Sequence, residues 1–185
     1  LASIISVALI IERLVALRRS KVVPTGLLQR AVGEFRAGTN NDRMLEDLDR
    51  HSPLGRVLAA GLRNVGTTRE VMKESIEEAG GAVTHELNRY LTTLGTIASI
   101  SPLMGLFGTV VGMIEIFGSQ APGTGNPQQL AHGISVALYN TGFGIFIAIP
   151  SVIFWRHFRA LVDGFVVEME QQAIRLVEYM HGERK

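Results

Sequence analysis

The sequence predicts an all-α membrane protein: three transmembrane helices, with long helices extending into a helical cytoplasmic domain. Composition is the first reason. Of 185 residues, 46% are hydrophobic and 19% charged, whereas soluble domains average about 25% charged. Distribution is the second, because apolar residues crowd into 1–17 and 91–155 while 18–90 reads as an aqueous module. The third is periodicity, since no run alternates as a half-buried strand does.

In chain order, Leu1 to Ile11 is apolar and is read as the inner end of a first transmembrane helix, 1–17, with Glu12 and Arg13 near the headgroups. No basic stretch precedes it and no cleavage-site pattern follows, so a signal peptide is the weaker reading. A helical cytoplasmic domain is expected over 18–90. Its pieces are Thr25 to Ala37 closed by Gly38, Asp42 to Arg50, Pro53 to Val65 closed by Gly66, and a long helix capped by Thr68. Gly80-Gly81 interrupts the pattern of that last helix, yet Val83, Leu87, Leu91 and Leu94 lead on without a turn signal. One very long helix entering the membrane is therefore expected.

The transmembrane hairpin is placed at 91–155, with spans 91–117 and 130–155. Each exceeds the roughly 20 apolar residues that cross a bilayer. Between them, Gly118, Pro122, Gly123, Gly125 and Pro127 form a loop, with Asn126 as N-cap and Pro127 as first helical residue. The cytoplasmic C-terminal helix is expected over 156–185, burying Leu161, Phe165, Met169, Gln172, Leu176 and Tyr179.

Basic residues set the orientation. Arg13, Arg18, Arg19 and Lys21 follow the first span and Arg156 and Arg159 the last, while the hairpin loop has neither Lys nor Arg. By the positive-inside rule the N-terminus lies outside and the C-terminus in the cytoplasm.

Several function classes fall away. Net charge is +1 and cysteine is absent, so neither nucleic-acid recruitment nor a thiolate metal site is suggested. No phosphate-cradling loop follows a strand, and the five histidines are scattered. No catalytic residue, metal or cofactor is expected, and the chain is not read as an enzyme. A solute transporter would show paired inverted halves, which are missing.

Residues of interest lie in the spans. Small residues mark helix contacts in hydrocarbon: Gly105, Gly108, Thr109 and Gly112 on the second span, Gly133, Ala137 and Thr141 on the third. Packing of the hairpin on itself and packing of a ring both satisfy this spacing. Most Ser and Thr hydroxyls can return a bond to their own backbone. Asn140 cannot satisfy itself so easily and wants a partner or a wet cavity; Ser135, Tyr139 and Thr141 lie beside it. Glu115 and His132 stand near the outer ends of their spans, where proton entry is a minority reading.

The run from Thr96 to Met113, with Pro102, Gly105, Gly108, Thr109 and Gly112 in register, resembles the second span of ExbB and TolQ proteins. Gly133-Ile134-Ser135-Val136-Ala137-Leu138, then Thr141, Gly144 and Ala148-Ile149-Pro150, resemble their third. The resemblance implies a channel-forming subunit of an ion-driven motor in the bacterial inner membrane: a homopentameric ring enclosing an ExbD/TolR-like single-span partner with a membrane-embedded aspartate. A TonB/TolA-like protein would take up the motion for outer-membrane transport or envelope maintenance. It also implies that Thr109 and Thr141 face the lumen, with Val136 on the ion path; the polar residues Asn140 and Ser135 are expected around the same wet or partner-filled lumen. Many ExbB and TolQ proteins carry glutamate where this chain has Val136. MotA-type relatives lack it, so the titrating group is expected from the partner. A MotA-like sodium- or proton-driven stator and a non-conducting membrane scaffold are the alternatives.

Overall fold

A computed structural model describes residues 1–38, 41–118 and 127–182. Every regular element among them is helical: α1 (Ala2–Ala16), α2 (Arg19–Val22), α3 (Leu27–Ala37), α4 (Asn41–His51), α5 (Pro53–Arg63), α6 (Arg69–Leu87), α7 (Leu91–Gly118) and α8 (Pro127–Met180). The chain divides into two compact units. One comprises Leu1–Glu12 with Tyr90–His157, the other Arg13–Arg89 with Phe158–Lys185.

In the first unit, α7 and the start of α8 pack as an antiparallel pair. At 28 residues, α7 is about 42 Å long, enough for a hydrocarbon core of about 30 Å. Among the described residues two helical stretches are long and apolar enough to cross a membrane, and only 17% and 22% of their most apolar parts is buried. Phe107, Ile114, Leu138, Phe143 and Phe146 are all more than half exposed, whereas Ser6, Ser101 and Ser151 are buried. Apolar outside and polar within is the arrangement a lipid surround favours. The described part of α1, at 15 residues, is about 22 Å long, shorter than the hydrocarbon thickness. Pro102 and Pro150 lie inside helices that continue past them.

The second unit is a bundle centred on α5. Its residues Leu54, Val57, Leu58, Ala59 and Leu62 are all buried, packing between α4 and α6. Local chemistry sets the helix ends. Gly38 closes α3 in the left-handed region with φ 69°, a conformation that suits a residue lacking Cβ. Ser52 Oγ accepts from the Gly55 amide at 3.0 Å with Pro53 at the first position, a combination that fixes the start of α5. Thr68 Oγ1 accepts from the Val71 amide and starts α6. At the crossing of α5, α6 and α8, a Cβ on Gly61 would lie 2.8 Å from Leu176 Cδ2 and 2.9 Å from Ile76 Cδ1. Asp49 of α4 pairs with Arg63 and Arg56 of α5, and Arg56 reaches Glu86 of α6.

Several expectations are corrected. Helix α6 does not run on into α7: Asn88 and Arg89 form a turn, and Tyr90 takes φ 64°. Beside the break, the Asn88 side-chain amide donates back to Thr84 O at 2.9 Å. Arg13, itself buried, donates through Nη1 to Leu87 O at 3.3 Å, giving the end of α6 a cap from distant sequence. Gly80 and Gly81, expected to interrupt α6, lie inside it without a break. Helix α3 starts at Leu27 because Gly26 turns left-handed (φ 75°) ahead of it. In the C-terminal part of α8 the buried stripe is Phe158, Val162, Phe165, Met169, Ala173 and Leu176. Leu161, Gln172 and Tyr179 sit at its margin, because a helix turn of 3.6 residues carries the face past them. Pro127 is the first residue of α8; the hairpin loop with Pro122, Gly123 and Gly125, and the Asn126 cap, lie outside the described residues.

Candidate functional site

The hairpin seam is built from glycine. A Cβ on Gly105 would lie 2.7 Å from Asn140 O and 2.9 Å from Thr141 Cα. One on Gly144 would meet Ser101 O at 2.5 Å and Gly105 Cα at 3.2 Å. Gly108 receives the Asn140 side chain, and Gly112 faces Ala137 at 3.6 Å. A Cβ on Gly133 would overlap the Ile116 side chain. The five small residues Gly105, Gly108, Gly112, Gly133 and Ala137 thus lie along one contact, at which the two backbones touch. Toward the end of the seam away from the hairpin loop, Gly95 makes room for Trp155, whose Nε1 would stand 2.9 Å from an added Cβ. Close backbone approach is what small residues supply where lipid gives no hydrophobic drive between helices.

The candidate residues distribute around that seam. At about 100° per residue, Thr109 falls roughly 70° to one side of the Gly105–Gly108–Gly112 line, and Thr141 roughly 50° to the same side of Ala137–Gly144. The pairing of Gly105 with Thr141 and Gly112 with Ala137 puts the two threonines within about one helical turn of each other in height. Asn140 lies on the other side. There it lines a groove of about 480 Å³ with Ala2, Ile97, Met104, Gly108 and Ile147. Helix α1 occupies this second side as well, with Ser6 Oγ 2.6 Å from Ser151 Oγ. Ser135 and Val136 are exposed on α8, turned roughly 120–140° from Thr141 around the helix. Helical phase brings Thr109 and Thr141 together and does not add Asn140, Ser135 or Val136 to their face. Glu115 and His132 are exposed toward the ends of α7 and α8 that meet at the hairpin loop.

The hydroxyls differ in what they have left to give. Thr96, Ser99, Ser101, Ser135 and Ser151 each donate to the carbonyl four residues back. Thr109 Oγ1 donates to Leu106 O at 2.6 Å. Among the described residues, Thr141 Oγ1 and the Asn140 amide have no hydrogen-bond partner. An unsatisfied donor facing hydrocarbon is unfavourable by a few kcal/mol, so the Thr141 hydroxyl either turns back to its own backbone or meets a polar group outside the hairpin. Chemically this flank can bind a carboxyl group and release it, since hydroxyls do not trap a charge as a fixed cation would.

Sequence reasoning passed over Ser6 and Ser151. Each looks like any self-satisfied hydroxyl in an apolar run, and only their pairing across 145 residues of chain separates them from the rest.

An apolar helical hairpin with buried serines and a hydroxyl flank places the chain among α-helical proteins suited to a membrane. The comparisons narrow this class. Residues 49–171 match the MotA/TolQ/ExbB proton channel family. The chain is 35% identical over 159 residues to the biopolymer transport protein exbB1 of Vibrio cholerae, covering 82% of this chain and 69% of that protein. It is 30% identical over 164 residues to the putative biopolymer transport protein ExbB-like 3 of Synechocystis, covering 86% and 77%. With the biopolymer transport protein ExbB of Aquifex aeolicus it shares 30% over 129 residues, covering 68% and 80%. The chain belongs to the MotA/TolQ/ExbB proton channel family.

Proposed function

We propose that this protein is the ring-forming subunit of an inner-membrane motor that uses the proton gradient to energise transport or envelope maintenance across the outer membrane. In this reading it is a homopentamer with three spans per subunit, its N-terminus periplasmic and its C-terminus cytoplasmic. The lumen holds the single transmembrane helix of an ExbD/TolR-like partner whose aspartate carries the proton, and a TonB/TolA-like protein takes up the motion.

One observation carries the reading. Thr109 and Thr141 share the flank of the hairpin away from α1, within about one turn of each other, while the groove side carries α1. With α1 and lipid on one side, the hydroxyl flank is the one available to line a lumen. A carboxyl moving through such a passage must be neutralised or hydrogen-bonded, and hydroxyls do this reversibly. Each charge that crosses about 100 mV gains about 2.3 kcal/mol, so several crossings can drive a helix rotation.

The test is the double variant Thr109→Val, Thr141→Val, assayed only where it still assembles with its single-span partner. Gradient-dependent activity is expected to be lost. Full activity in an assembled double variant would exclude the lumen assignment and leave the scaffold reading.

A further inference from the structure

We infer that Thr141 and Thr109 divide the two protonation states of the partner's carboxyl group between them: Thr141 serves the anion and Thr109 the neutral acid. This rests on the proposed lumen and deepens it.

The basis is the state of each hydroxyl. The proton of Thr109 is committed to Leu106 O at 2.6 Å, which leaves oxygen lone pairs as the capacity it offers outward. A lone pair accepts from a protonated carboxyl and repels a carboxylate. Thr141 Oγ1 has no partner among the described residues, so its proton is available to a carboxylate. Gly105 makes this possible, since an added Cβ there would lie 2.9 Å from Thr141 Cα, and the close approach holds Thr141 at the edge of the seam.

Between residues 91 and 155 the ionisable side chains are Glu115, His132 and Tyr139. Glu115 and His132 stand toward the hairpin loop, and Tyr139 is 68% exposed and roughly 160° from Thr141 around α8. No cation from this stretch competes with the hydroxyls for the carboxyl. Donation to the charged form lowers a carboxyl pKa, and accepting from the neutral form raises it. The carboxyl therefore favours Thr141 when ionised and Thr109 when protonated, so taking up a proton shifts it along the flank by up to about one turn.

The two single valine variants are to be compared as the full chain co-purified with its single-span partner, in vesicles of phosphatidylethanolamine and phosphatidylglycerol. Proton flux is read against pH, and the carboxylic C=O infrared band of the partner's aspartate reads the same titration where flux is lost. Thr141→Val is expected to raise the apparent pKa and Thr109→Val to lower it, each by about one unit, a tenfold change in the proton equilibrium. Shifts in the same direction, or changed rates with an unmoved midpoint, overturn the division of labour and leave the lumen reading standing. Wild-type flux and midpoint in both variants overturn the lumen reading and this inference with it.

Discussion

Ser6 and Ser151 meet oxygen to oxygen at 2.6 Å, both buried, and join α1 to α8. Ser151 already donates to Ile147 O at 2.7 Å, so the proton between the two oxygens belongs to Ser6. A one-way chain results, from Ser6 to Ser151 to the α8 backbone. Ser6→Ala should weaken α1 docking by about 1 kcal/mol, the usual worth of a hydrogen bond between membrane helices, read as a lower unfolding midpoint in detergent. Ser151→Leu should do far more, because a fully buried site has no room for the longer side chain. Equal, negligible effects would show that the serines do not join the helices.

The glycine seam makes a sharper forecast. Gly105→Val should separate the hairpin, because its Cβ would enter the van der Waals shells of Asn140 O and Thr141 Cα. Gly142→Ala on α8 meets nothing within 4 Å and serves as the control. Protease resistance of the purified protein distinguishes them, with loss expected in the first and not in the second.

Two glycines of the bundle centred on α5 should respond with opposite sign. Gly61→Val overpacks against Leu176 and Ile76 and should destabilise by about 1–3 kcal/mol. Gly80→Ala places a methyl in open space inside α6 and should stabilise by about 0.5–1 kcal/mol, by restricting the unfolded chain. Thermal unfolding followed by circular dichroism checks both.

Orientation can be tested without any transport assay. A cysteine replacing Ser119, in a chain with no native cysteine, should react with an impermeant maleimide added from the periplasmic side. Reaction from the cytoplasmic side alone would invert the proposed topology.

Much of the helix inventory was legible in the sequence because its signals are local: Pro53 and Gly38 mark ends through their own backbone, and Thr68 through its hydroxyl. The break before α7 was not legible. It contains neither Gly nor Pro, and beside it stand the Asn88 side-chain bond and Arg13, which caps from 74 residues away. The candidate site was half legible. Small residues and hydroxyls announced a contact face, but their allocation to two sides of the seam follows from which glycine meets which residue of the facing helix. That pairing sends Asn140 away from Thr141 despite their adjacency, since consecutive residues diverge by about 100° on a helix.

Backbone pressed on backbone leaves the paired helices no slip plane. Turning α7 by a single residue would swing Leu106 or Met104 into the space that Gly105 keeps clear beside Asn140 and Thr141, so the pair behaves as a welded plank. In the proposed ring, such planks would form a fixed wall and the moving part would be whatever travels along it.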